Sequence, residues 1–337
     1  MLRWSDNGPG RVVRAVAPVL VFVAGMLFAG TAAAVGPPAA APDDPAAVDG
    51  AETELPAYEP GEPLDGDLLG ELIEHYTWTR DTLLDIARAD RLGLPELLAA
   101  NPGVDRWLPG TAQRLILPTR YILPDAPRAG IVVNTAELRL YYFHKDGWIE
   151  SFPIGVGRDA FTTPLGTTRV VRKQADPVWY PTENTRKDRP DLPAMVPAGP
   201  DNPLGEFALY LGWPTYLIHG TDQPWGVGRR VSRGCVRLYP EDISWLFEQV
   251  PTGTPVTVVH QPVKLGRDGE GALYLEVHPS LIQIDELEET GFATPDPLPD
   301  MTDDILFAAG DDIPRLDWAA IDRAMQDRTG LPVRILR

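Results

Sequence analysis

The chain has 337 residues, a formal net charge of -18, 44% hydrophobic residues and a single cysteine, Cys235. A surface this acidic repels nucleic-acid phosphates and anionic lipid, which disfavours those partner classes, and one thiol builds neither an intramolecular disulfide nor a thiolate metal centre. The roughly 300 residues left after removal of a leader suffice for two domains, or for one domain with appendages.

In chain order, residues 1–34 read as a secretory leader. Arg3, Arg11 and Arg14 supply a positive start, Val16 to Gly30 an apolar stretch, and Ala32-Ala33-Ala34 a small-residue cleavage site. Export to the periplasm or cell wall is therefore expected, with an uncleaved membrane anchor as the alternative. Residues 35–70 are rich in Pro, Ala, Asp and Glu and lack periodicity, which predicts a flexible linker.

Residues 71–120 predict two short helices between short strands. Asp81 is the expected cap of a first helix with Leu83, Leu84, Ile86 and Ala87 on its apolar face, and Asn101-Pro102-Gly103 stops a second. The stretch resembles a LysM module, a small α+β (βααβ) fold that binds N-acetylglucosamine-containing glycans, with Arg80 where that family usually has Gly before Asp-Thr-Leu. A spacer with no sugar site is the alternative reading.

Residues 128–262 are dominated by β signals. Runs at 131–134, 138–143, 148–153, 167–172, 208–212, 216–219 and 256–260 predict strands, and one helix starts at Pro240 with Ile243, Leu246 and Phe247 on its apolar face. A β-sandwich or barrel with a short helix follows. Residues 263–337 form a C-terminal extension: a strand at 272–278, an acidic loop over 286–312, and a helix capped by Asp317.

The chemistry concentrates at Ser232-Arg233-Gly234-Cys235-Val236-Arg237, sixteen residues after His219-Gly220. A lone cysteine after a glycine and between two arginines suits a nucleophile whose thiolate is stabilised by positive charge, with His219 as its base. His75, His144, His260 and His278 are expected to be surface or packing residues. Trp179, Tyr180 and Trp225 are candidates for lining a substrate groove, with core packing as the alternative.

This segment resembles the YkuD-type L,D-transpeptidases that remodel peptidoglycan. The resemblance rests on His219-Gly220, on the cysteine motif, and on Trp179-Tyr180-Pro181-Thr182, Gly226-Val227-Gly228 and Leu238 to Asp242. It implies Cys235 as nucleophile, His219 as base and proton donor, the Gly220 carbonyl as orienter, and backbone N–H groups at Gly234 and Cys235 for the oxyanion. Ser232 is expected to fix the loop, while Arg233 and Arg237 bind a substrate carboxylate. Peptidoglycan stem peptides and glycan are the implied partners, with an outer-membrane lipoprotein as a further acceptor. Neither cofactor nor metal is expected. Hydrolysis or D-amino-acid exchange through the same thioester is one alternative; a non-catalytic wall-binding protein is another.

Overall fold

The computed structural model describes residues 66–158, 161–297 and 300–337. The expected leader and most of the expected linker lie outside them. The first elements are β1 (Leu68–Leu69), β2 (Ile73–Tyr76), α1 (Leu83–Ala89), α2 (Leu94–Ala100), β3 (Arg114–Leu117) and β4 (Tyr121–Ile122). Strands β2 and β3 pair antiparallel around the two helices, making a βααβ unit, and β1 pairs with β4. Its core is Leu83, Ile86, Leu92, Leu97, Leu98, Leu115 and Leu117. Thr82 caps α1, where Asp81 was expected: the Thr82 hydroxyl accepts from the Asp85 N–H, while Asp81 accepts from the Trp78 N–H. Asn101 ends α2 and ties it to β3, donating to the Leu97 and Ile116 carbonyls and accepting from the Ile116 N–H.

The central body holds β5 (Gly130–Asn134), β6 (Arg139–Phe143), β7 (Ile149–Pro153), β8 (Val156–Gly157), β9 (Gly166–Ala175), α3 (Glu183–Asp188), β10 (Phe207–Leu211), β11 (Leu217–His219), β12 (Arg230–Ser232), β13 (Val236–Arg237), α4 (Pro240–Gln249) and β14 (Pro255–Val259). Eight of the strands form one sheet in the order β13-β11-β10-β9-β14-β5-β6-β7. Pairs β14/β5 and β11/β13 are parallel. The fold is mainly β. One face of the sheet buries Ile131, Leu140, Phe152, Leu209, Ile218 and Val256 against Ile243 and Leu246 of α4, so the helix that follows the cysteine is anchored in the core.

The extension adds β15 (Val263–Arg267), β16 (Leu273–Val277), α5 (Leu281–Thr290), α6 (Thr302–Ala309), α7 (Trp318–Asp327) and β17 (Val333–Arg334). Its three strands build a separate core with Ile305, Ile321 and Ile335. The acidic loop expected over 286–312 is corrected here: α5 runs to Thr290 and α6 occupies 302–309. Asp303 and Asp304 sit in the first turn of α6, where negative charge complements the helix dipole, and Ile305 and Ala309 are buried. Helix α5 joins the parts, placing Ile284 in the sheet core and Leu287 in the βααβ core.

A buried ionic cluster pins the extension to the central body. Lys264 bridges Glu137 and Glu276, 2.5 and 2.7 Å away, and His278 Nε2 lies 2.6 Å from Glu276. His278 is thus a structural partner of a buried carboxylate. The Lys264 ammonium already supplies the positive charge that Glu137, Glu276 and His278 surround.

Candidate active site

Strands β11 and β13 pair in parallel with His219 opposite Arg237. Partners in a sheet share a face, and residues two apart along a strand return to it. Continuing that register places Cys235 opposite Leu217, diagonal to His219 at about 8 Å between backbones, within side-chain reach. The Leu217 N–H is directed at the thiol, in keeping with this register. The thiol donates to the Thr215 carbonyl at 3.5 Å.

His219 is buried, and its Nδ1 lies 2.6 Å from the Gly220 carbonyl. A carbonyl only accepts, so Nδ1 carries the hydrogen and Nε2 keeps its lone pair. Burial, seconded by the Arg237 charge, lowers the imidazole pKa to about 3, against the pull of the Gly220 and Leu204 carbonyls. Burial likewise pushes the Cys235 thiol up to about 11, outweighing the Leu217 N–H and Arg237. The resting pair is neutral thiol and neutral imidazole. This corrects the expectation of a thiolate held by two arginines: the desolvation of the site exceeds the attraction of the one guanidinium that reaches it.

Residues 128–258 match the YkuD family, described as the L,D-transpeptidase catalytic domain. The chain is 45% identical over 249 residues to the probable L,D-transpeptidase ErfK/SrfK of Salmonella typhimurium, covering 72% of this chain and 79% of that protein. It is 43% identical over 251 residues to the probable L,D-transpeptidase YbiS of Escherichia coli K12, covering 73% and 80%. The chain belongs to the L,D-transpeptidase family. It is an enzyme of a cysteine-nucleophile family that acts on peptidoglycan stem peptides.

In this transpeptidase the nucleophile loop is braced from several sides. Ser232 donates to the Cys235 carbonyl at 2.6 Å and accepts from the Gly234 N–H at 3.1 Å. That bond engages the Gly234 N–H, which was expected to face an oxyanion. Gly234 itself has φ +102°, and a Cβ there would sit 2.7 Å from the Tyr216 ring. Thr163 supports the loop from below, its hydroxyl accepting from the Gly157 N–H and donating to the Gly234 carbonyl.

The two arginines part company. Arg233 pairs with Asp188 of α3 and lies over the Phe161 ring, 4.2 Å from its centroid, so it links the nucleophile loop to the segment between β9 and β10. Arg237 stays in the site, half-buried beside the thiol, with a buried Nε that has no hydrogen-bond partner among the described residues and with Asp222 as a counter-charge. Tyr180 and Trp225 are exposed, and Trp179 bridges to Val196. Sequence reasoning missed Gly157, Thr163, Thr215, Asp188 and Asp222. The Thr163-Pro164-Leu165-Gly166 turn was the available signal for Thr163; the others act through backbone or through contacts distant in sequence.

Proposed function

We propose that Cys235 attacks the carbonyl of the third residue of a tetrapeptide stem and that an amine resolves the thioester. His219 Nε2 takes the thiol proton as the S–C bond forms. It returns that proton to the amine of the departing D-alanine as the C–N bond breaks. An acceptor amine then attacks the thioester, loses its proton to His219, and the sulfur leaves and is reprotonated. The carrying observation is the Nδ1 bond to Gly220, which leaves a lone pair on the same sheet face as Cys235 and Arg237.

Because Gly234 is engaged by Ser232, the Cys235 N–H is our candidate first donor to the oxyanion, joined by Gly234 if the Ser232 bond yields during turnover. Arg237, with its unpartnered Nε, suits a stem carboxylate. The acceptor we favour is a diaminopimelate side-chain amine, giving a 3,3 cross-link; a lipoprotein lysine is the second. We read the βααβ unit as the part that holds glycan. Trp78, Trp107 and Leu108 are 74, 56 and 78% exposed on two loops that the Thr77 hydroxyl joins through the Gly110 carbonyl.

The deciding experiment is mass spectrometry of a disaccharide-tetrapeptide incubated with the mature protein and with Cys235→Ala. Cysteine-dependent loss of D-alanine with a dimeric product supports cross-linking. Shortened monomer alone moves the assignment to hydrolysis, and turnover by Cys235→Ala ends the thioester reading.

A further inference from the structure

The family match begins at residue 128, yet the βααβ unit before it is fastened to the first turn of α4, directly after the nucleophile motif. Arg88 grips Glu241 through two hydrogen bonds of 2.9 and 3.1 Å. The Tyr239 hydroxyl donates to the Leu92 carbonyl at 3.3 Å, and Arg139 of β6 donates to the Arg91 carbonyl and to Glu96 of α2. Gly93 and Gly228 meet so closely that a Cβ on Gly228 would lie 2.7 Å from the Gly93 Cα.

Asp242 is sealed at the centre of this junction. It is 0% exposed, neither carboxylate oxygen has a hydrogen-bond partner among the described residues, and Arg91 stands off at 3.6 Å. The groups that face it are Arg88 and Arg91 from the unit, Arg139 and Glu150 from β6 and β7, and Tyr239 and Glu241 from its own turn. Glu96 completes the set by pairing with Arg139. Arg88 and Arg139 are each committed to another carboxylate, Glu241 and Glu96. Asp242, with no donor to either oxygen among the described residues, is where a proton costs least. Burial pushes its carboxyl up to about 7. One residue further on, Ile243 packs on Gly220, whose carbonyl sets the base: a Cβ on Gly220 would lie 3.0 Å from Ile243 Cγ2.

We propose that the βααβ unit is a positioning element of the acyl-transfer centre, acting on His219 through α4, and that Asp242 is its proton-dependent latch. With the Asp242 carboxyl protonated the unit is clamped. Ionisation leaves a fully buried carboxylate without a hydrogen-bond donor among the described residues, against Arg91 at 3.6 Å, and loosens it. Because the folded-state pKa is raised, the stabilisation is complete below the ordinary carboxylate range and is lost as pH rises through about 7.

The test is hydrogen exchange on the full chain at pH 6 and pH 8, corrected for intrinsic rates, at amides of α1–α2, the first turn of α4 and β11. Opening should be about tenfold more populated at pH 8 in all three regions together. Asp242→Asn should remove that ratio. Arg91→Gln, which takes away that cation, should shift the transition to higher pH, and it keeps the test open if Asp242→Asn fails to fold. Equal opening of the wild type at both pH values overturns the latch. An unchanged ratio in Asp242→Asn assigns the proton elsewhere, and opening of α1–α2 without α4 and β11 overturns the coupling to the base.

Discussion

His219 donates its Nδ1 hydrogen to the carbonyl of Gly220, the next residue in the chain, at 2.6 Å. The bond fixes the tautomer without a carboxylate, so no buried anion raises the basicity of the ring. Burial holds the imidazole down at about 3 and pushes the thiol up to about 11, so both groups are neutral near pH 7.

Cys235 should accordingly be a slow nucleophile until substrate arrives. At pH 7 we expect iodoacetamide to alkylate it about a hundredfold more slowly than a free cysteine, with a rate still climbing at pH 9. A titration midpoint at or below that of a free thiol would mean a preformed ion pair and contradict the neutral resting state.

Acid stability carries two opposed terms. The His219 pKa is depressed, so the unfolded chain takes the proton first and stability falls as pH drops below 6.5. The Asp242 pKa is raised, so the folded chain takes the proton first and stability rises as pH drops below 7. Each contributes about 1.4 kcal/mol per pH unit, with opposite sign. Urea titrations between pH 6.5 and 4.5 should show His219→Asn gaining stability toward acid and Asp242→Asn losing it, around a flatter wild-type profile.

Gly157 allows the loop to close. A Cβ there would lie 2.8 Å from the Gly234 Cα and collide with the Phe161 carbonyl, and neither neighbour is a flexible side-chain end. Gly157→Ala should destabilise by about 1–3 kcal/mol, since overpacking at a rigid contact displaces backbone. The displacement falls beside Cys235, so kcat should drop further than the thermal shift suggests.

The β signals were legible because Ile131-Val132-Val133 and Leu138 to Phe143 are β-rich runs bounded by turn residues, and the Pro240 helix because its cap and apolar face are local. His219 and Cys235 stand out in the sequence by motif spacing, and the pairing of β11 with β13 puts both on one sheet face. The fate of Arg233 was not legible, since Asp188 lies 45 residues away on a short helix. Nor was the neutral thiol, because burial is a property of the packed fold. Helix α6 was hidden by the acidic residues that favour its first turn, which in sequence read as a loop.

Arg237 tests whether charge or geometry matters at the substrate. Its guanidinium lowers both the His219 and Cys235 pKa values, and its Nε has no partner among the described residues. Arg237→Lys keeps the charge but loses the fork that holds a carboxylate in two bonds. We expect KM for a tetrapeptide donor to rise about tenfold, the equivalent of one charge-assisted hydrogen bond, with a smaller change in kcat. Arg237→Met should add an upward shift of the thiol titration; an unshifted curve would remove Arg237 from the electrostatics of the nucleophile.

Lys264 tests what fixes the extension to the central body. It is buried between Glu137 and Glu276, and it also donates to the Ile122 carbonyl of β4, so one ammonium joins the extension, the central body and the strand that leads into it. Lys264→Met preserves the aliphatic volume and removes the ammonium from between two buried carboxylates, leaving Glu137 the Asn134 and Tyr141 donors, Glu276 the Ile122 N–H, and His278 beside both. Such a variant should lose about 3–5 kcal/mol at pH 7, because a buried charge without its partner costs more than the pair contributes. Lys264→Met with Glu276→Gln should recover part of the loss at neutral pH. Additive losses in the double variant would show that the two residues do not interact.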